Sequence, residues 1–173
     1  HIPAVIRLKG NLNKDALAFA FQQIVNRHEV LRTIYLNDEK KDLTYQRIND
    51  KDKWQLGFLD GSVYKNDASG LQKYIQQLIN VPFDLSKDCM LRADLISLDE
   101  NENVLVFTMH HIASDGWSIS LLVNEMVEFY SSYAESRDVK LPELQIQYSD
   151  YAVWQRKHLS GEFLEKKLTY WKD

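Results

Sequence analysis

The sequence predicts an α/β fold, a two-layer sandwich with a mostly antiparallel or mixed sheet and helices packed on a face. Two observations carry this reading. Short runs in which apolar and polar residues alternate are interleaved with longer runs of helical period, in the order β-α-β-β-α-β-β-α-α. The 173 residues, 45% hydrophobic and 27% charged, suffice for one compact core of ordinary globular composition.

The elements follow from the residues in order. "AVIRLKG" (residues 4–10) alternates and stops at a glycine, which predicts a strand. In "NLNKDALAFAFQQIVNRHEV", Asn13 is the candidate N-cap of a helix. Leu17, Phe21, Ile24 and His28 fall on one face of it, flanked by Ala20 and Val25. "LRTIYL" and "LTYQRI" predict two strands around the charged turn "NDEKKD". Residues 49–66 are polar and contain glycine, and read as loop. "ASGLQKYIQQLIN" predicts a helix that Pro82 must end at or before Val81. After the irregular connector "PFDLSKD", the stretches "MLRADLISL" and "NVLVFTM" predict strands joined through "DENE". In "WSISLLVNEMVEFYSSYA", Leu122, Met126, Phe129 and Tyr133 define the apolar face of a further helix. A linker opened by Pro142 then leads into a long helical region with a break at Gly161.

Composition excludes several functions. The formal net charge is −4 and the lysines and arginines are scattered, so no phosphate-tracking surface is expected, and neither a nucleic acid nor a membrane as partner. The single cysteine, Cys89, permits no intrachain disulfide and fits a reducing compartment, the cytoplasm. No apolar run approaches the roughly 18 residues of a membrane span, and no secretory signal is visible. The opening His-Ile-Pro, without an initiator methionine, reads as a piece of a longer protein. No glycine-rich loop has the form that cradles a nucleotide.

One stretch is left over: "MHHIASDGWS", Met109 to Ser118. Side chains of adjacent strand residues point to opposite faces, so His110 and His111 diverge and do not suit one metal ion. The zinc spacings H-x-x-x-H and C-x-x-C are absent, and no metal site is predicted. There is no G-x-S-x-G elbow, and Cys89, read with the strand that follows it, carries no signal of activation. A histidine at a strand end, with an aspartate and a glycine set by a short loop, suits direct transfer assisted by one general base or orienting group.

"HHIASDG" has the form H-H-x-x-x-D-G and resembles the condensation domains of nonribosomal peptide synthetases, relatives of chloramphenicol acetyltransferase. Three further stretches match motifs of that family in its order. "RHEVLRTIY" (residues 27–35) resembles R-H-E-x-L-R-T-x-F, with Tyr35 for Phe. "PFDLSKDCMLRADL" (residues 82–95) resembles P-F-D-L followed, after six intervening residues, by Arg, and "YSDYAVWQ" (residues 148–155) resembles Y-x-D-Y-A-x-W-Q. The resemblance spans nearly the whole chain but only the N-terminal lobe of a two-lobed domain. The family's first motif, S-x-A-Q-x-R, and the motifs of the second lobe are missing. It implies a chloramphenicol acetyltransferase-like lobe over residues 1–173.

The resemblance further implies peptide-bond formation. A carrier-bound acyl or peptidyl thioester passes to the amine of a downstream aminoacyl thioester. Both substrates are presented on 4'-phosphopantetheine arms, and no cofactor is bound directly. Implied partners are upstream and downstream peptidyl carrier domains, the C-terminal lobe and an adjacent adenylation domain. By motif match His111 is the catalytic histidine and His110 an inward, structural one. Asp115 is expected to form a structural ion pair with Arg32 or Arg27. Gly116 is expected to permit either close approach of a pantetheine arm or a backbone angle denied to other residues, with Trp117 and Ser118 also at the substrate. Tyr151 and Trp154 are expected in the core or between lobes. The motif variants resemble domains that take an L-configured donor; a heterocyclization domain would carry aspartates for the histidine pair. Two alternatives stay open: a free-standing acyltransferase using coenzyme A, and a catalytically silent docking domain. An isolated lobe is expected to be inactive.

Overall fold

The computed structural model describes residues 1–172; residues 1–142 form one compact unit and the remainder a second, described separately. In the first unit a four-stranded sheet has the order β1-β6-β5-β4, built from Ile2–Lys9 (β1), Gly57–Asp60 (β4), Leu91–Asp99 (β5) and Glu102–Met109 (β6). β6 is antiparallel to both β1 and β5, whereas β4 runs parallel to β5, so the sheet is mixed, as expected. Thr33–Asp38 (β2) and Leu43–Ile48 (β3) form a separate hairpin around the predicted turn.

Helices Lys14–Arg27 (α1) and Gly116–Ala134 (α3) lie side by side on one face of the sheet. Alternation along the strands sends Leu91, Ala93, Leu95, Leu105, Phe107 and Met109 to that face, against Leu17, Phe21 and Ile24 of α1 and Leu122 and Phe129 of α3. Phe21 stacks on Trp54 at 5.6 Å between centroids and meets Phe107 at 6.0 Å. The intervening residues Ile96, Leu98, Val104 and Val106 face the other way and are covered by Ala68–Asn80 (α2) through Leu71. Helices therefore occupy both faces of the sheet, a layer that sequence alone did not show.

Two expectations need correction. Residues 49–66 are not all loop: they hold β4 and bring Trp54 and Leu56 into the core, with Trp54 Nε1 donating to the Leu91 carbonyl at 2.7 Å. On α3 the buried residues are Leu122, Glu125, Phe129 and Ser132, whereas Tyr133 is exposed.

In the second unit, Tyr148–His158 (α4) ends before Gly161–Lys172 (α5), at the predicted break. Neither helix buries a residue. Tyr151 and Trp154 are thus not core residues; with Tyr148, His158 and Phe163 they form an exposed run of neighbouring rings. Among the described residues no helix is long and apolar enough to cross a membrane.

Candidate active site

The H-H-x-x-x-D-G stretch leaves the end of β6, an interior strand of the sheet. Met109 is in register with Ile2 on one side and Leu91 on the other, so two ladders fix the point of departure. His110 then organises the turn. Its N–H donates to the Met90 carbonyl at 3.0 Å, and its own carbonyl accepts from the Ala113 N–H and the Ser114 hydroxyl, both at 3.0 Å. Its ring Nδ1 accepts the Ile112 N–H at 3.1 Å, which places the proton of the neutral imidazole on Nε2. Burial pushes the His110 pKa down, toward that neutral form. His110 is thus half-buried and bound into the fold, while His111 stands exposed in the turn.

Asp115 does not form the expected ion pair. It is the N-cap of α3: Oδ1 accepts the N–H groups of Trp117 and Ser118, each at 3.1 Å, and the Ser118 hydroxyl at 2.9 Å. The Asp115 N–H donates back to Ser118 Oγ at 3.0 Å, completing a capping box. The reason is local. The first turn of a helix has N–H groups without partners, and a carboxylate at its head meets them before any distant cation. Arg32 meanwhile donates to the Asn49 carbonyl and faces Glu29, and Arg27 bonds Glu125 and the Pro142 carbonyl.

The cap makes a prediction. The Ser118 hydrogen bonds hold the Asp115 pKa below the ordinary aspartate value. The cap's stabilisation is therefore present above that ordinary value and is lost as pH falls through the folded-state pKa. Asp115→Ala is expected to lower the urea midpoint slightly, and Asp115→Asn or Asp115→Ser to restore most of the loss, because either supplies an accepting oxygen. Failure of both to restore it would point back to a charge partner.

Gly116 has no left-handed φ, and a Cβ built on it would meet nothing within 4 Å. The fold of this unit therefore does not itself require glycine there, and Gly116 adopts no backbone angle denied to other residues. Trp117 is 83% exposed on the first turn of α3. The Ser118 hydroxyl is engaged in the capping box, so it reaches a substrate only if that box opens.

The sequence reading missed the group that anchors α3. Glu125 is buried and accepts from Arg27 Nε at 3.0 Å and from His28 Nε2 at 2.6 Å. Burial alone would raise its pKa, but the hydrogen bonds and charges of His28 and Arg27 outweigh this and hold it below the ordinary glutamate value. A cavity of about 100 Å³ separates His28, Val30 and Leu31 from Ala113, Ser114 and Ser118 behind the turn. Met90 bridges two of the motifs: its N–H donates to the Leu31 carbonyl at 2.7 Å and its carbonyl accepts from His110. Among the described residues no three His, Cys, Asp or Glu side chains gather as metal ligands would.

Comparison with known proteins shows the family. The family model described as "Condensation domain" covers residues 1–173. The chain belongs to the condensation domain family. It is 38% identical over its full length to a component of the linear gramicidin synthase of Brevibacillus parabrevis. It is 36% identical over 99% of its length to gramicidin S synthase 2 of Brevibacillus brevis. In a solved complex of the X-domain and OxyB from teicoplanin biosynthesis, the aligned chain has a TM-score of 0.87 at 27% identity over 99% of this chain. This condensation domain segment spans only 3% and 4% of the two synthases and 37% of that solved chain, in keeping with one N-terminal lobe. The four motifs thus identified the family, and its fold is the one observed.

Proposed function

We propose that this chain is the N-terminal lobe of an amide-forming acyltransferase of nonribosomal peptide synthesis, with His111 beside the reacting amine. The single observation that carries the reading is the exposed His111 at the mouth of a turn that His110, Ser114 and Asp115 hold in place. In the reaction the acceptor amine attacks the donor thioester carbonyl. A C–N bond forms and the C–S bond breaks; the nitrogen sheds a proton, and the departing thiolate takes one up. An α-amine with a pKa of about 7.7–8.0 is already roughly one-tenth neutral at pH 7, so the first deprotonation costs only about 1 kcal/mol. His111 therefore acts on the proton shed as the tetrahedral intermediate forms, on the orientation of the amine, or on both.

The substrates are thioesters on 4'-phosphopantetheine arms of upstream and downstream carrier domains. The open backbone at Gly116 supports close approach of such an arm. The motif variants support an L-configured donor, kinship with multidomain synthases supports an adjacent adenylation domain, and the single cysteine supports a cytoplasmic setting. Exposed Trp117, Leu121 and Val127 along α3 support a second lobe as the missing part of the site, without which this lobe is inactive. A silent docking role has one observation in its favour, the structural neighbour solved in complex with OxyB.

The test uses a protein carrying both lobes, a donor on a carrier domain or on coenzyme A, and an aminoacyl carrier as acceptor, with the acceptor read by intact mass. The expected result is dipeptidyl acceptor from the carrier-bound donor alone. Efficient transfer from coenzyme A would instead indicate a free-standing acyltransferase, and no mass shift with any pair a docking domain.

A further inference from the structure

We propose that Arg92 and Phe83 are positioning residues that act through the His110 ring on the turn carrying His111. The connector between α2 and β5 is closed by one guanidinium. Arg92 donates to two successive carbonyls, Val81 at 2.9 Å and Pro82 at 2.6 Å, and to Asp88 Oδ2 at 2.8 Å. The same Asp88 oxygen accepts the Asp84 N–H at 2.9 Å. The Arg92 Cζ lies 3.9 Å from the centroid of the Phe83 ring. That ring in turn meets His110 in a T-shaped contact with centroids 5.5 Å apart and planes at 74°.

This series, guanidinium on ring and ring on imidazole, controls something specific. The His110 ring has two orientations related by a flip, and only one turns Nδ1 to the Ile112 N–H. The flipped ring would present Cδ2 to that N–H and lose the bond, and the packed Phe83 ring holds the imidazole plane where Nδ1 meets Ile112. With Nδ1 on Ile112 and the His110 carbonyl holding Ala113 and Ser114, the turn has one shape, and His111 has one place from which to meet a substrate. Lysine cannot substitute for Arg92, because a single ammonium does not reproduce a planar fork that spans two carbonyls and a carboxylate while lying on a ring. The proposal explains why an arginine should follow Pro-Phe-Asp-Leu at this spacing: it closes the connector and presses its phenylalanine onto the histidine.

The kinetic part rests on the amide-forming reading above, whereas the spectroscopic part does not. Phe83→Leu and Arg92→Lys would be made in this chain and in a protein carrying both lobes. Imidazole nitrogen resonances of His110 would be followed by NMR through a pH titration. The groups facing His110 are the His1 α-ammonium and ring, the latter at 5.7 Å between centroids, and His111, with Arg92 behind Phe83. In the parent, Nδ1 is expected as a bare acceptor and Nε2 as the protonated nitrogen. Both variants are expected to mix the tautomers and to move the titration toward that of a solvent-exposed histidine. In the longer protein kcat is expected to fall by up to about 10²-fold, with KM little changed and the unfolding midpoint nearly that of the parent. Unaltered His110 resonances and titration in folded Phe83→Leu and Arg92→Lys would overturn the proposal. So would altered resonances with undiminished kcat. A parent that transfers no acyl group would reject the functional reading alone, and the His110 resonances would still decide whether Phe83 and Arg92 set the ring.

Discussion

Replacing His111 by alanine, in a protein carrying both lobes, is expected to slow acyl transfer by about 10²–10⁴-fold while leaving the unfolding midpoint almost unchanged. The two halves of this expectation come from different features. His111 is exposed, and the hydrogen bonds that shape its turn belong to His110, Ala113, Ser114 and Asp115. Truncating it therefore leaves the fold's own hydrogen bonds in place. His110→Ala is the opposite case: it removes the acceptor of the Ile112 N–H and a ring packed against Phe83, and is expected to lower stability and activity together. The paired measurement is transfer rate by intact mass and thermal unfolding on the same samples. A rate undiminished in His111→Ala would remove this histidine from the reaction. If His111 acts as a base, the acid limb of the pH–rate profile disappears in the variant; if it only orients the amine, the limb persists at a lower rate.

What was legible in the sequence has a physical pattern. Elements whose signal is local were found: the alternation of β1, the 3.6-residue period of α1 and the stop at Pro82 all depend on near neighbours. β4 was missed because Gly57–Asp60 is four residues long and pairs in parallel with β5, far along the chain. Such a short strand leaves little alternation to read. The Asp115 N-cap was legible in principle, since an aspartate immediately before a helical pattern, with serine three residues on, is a capping signal. The resemblance drew attention to a distant arginine instead. Glu125 could have been flagged as a charge set among Leu122, Met126 and Phe129 on an otherwise apolar face. Its partners could not have been named, because Arg27 and His28 lie 98 and 97 residues away. The clamp of Arg92 on Phe83 was hidden for the same reason: the motif showed both residues, but not that they touch.

Glu125→Ala is expected to be the most damaging single polar substitution at this site. Removing Glu125 takes from Arg27 and His28 the buried anion that they share, and breaking a buried ion pair typically costs about 3–5 kcal/mol. For a chain of this size that lowers the midpoint by on the order of 10 °C. Glu125 side-chain exposure is only 11%, with Arg27 at 16%, so solvent screens the pair little. Activity would fall together with the stability, because α3 carries the motif at its head and Glu125 in its middle. A dead Glu125→Ala protein would thus say nothing about chemistry, unlike a dead and folded His111→Ala. Glu125→Gln makes the electrostatic share measurable. It keeps the shape and an accepting oxygen and removes the charge, so near neutral pH it should be less stable than the parent. The folded-state pKa of Glu125 is depressed, so its charge stabilises above the ordinary glutamate value, and that contribution is lost as pH falls through the folded pKa. Below that point the parent's carboxyl is neutral and resembles the amide. The stability gap between parent and Glu125→Gln, measured by urea unfolding at successive pH values, should therefore close on the acid side. A gap that stayed constant to low pH would mean that the shape of the side chain, and not its charge, is what ties α3 to α1.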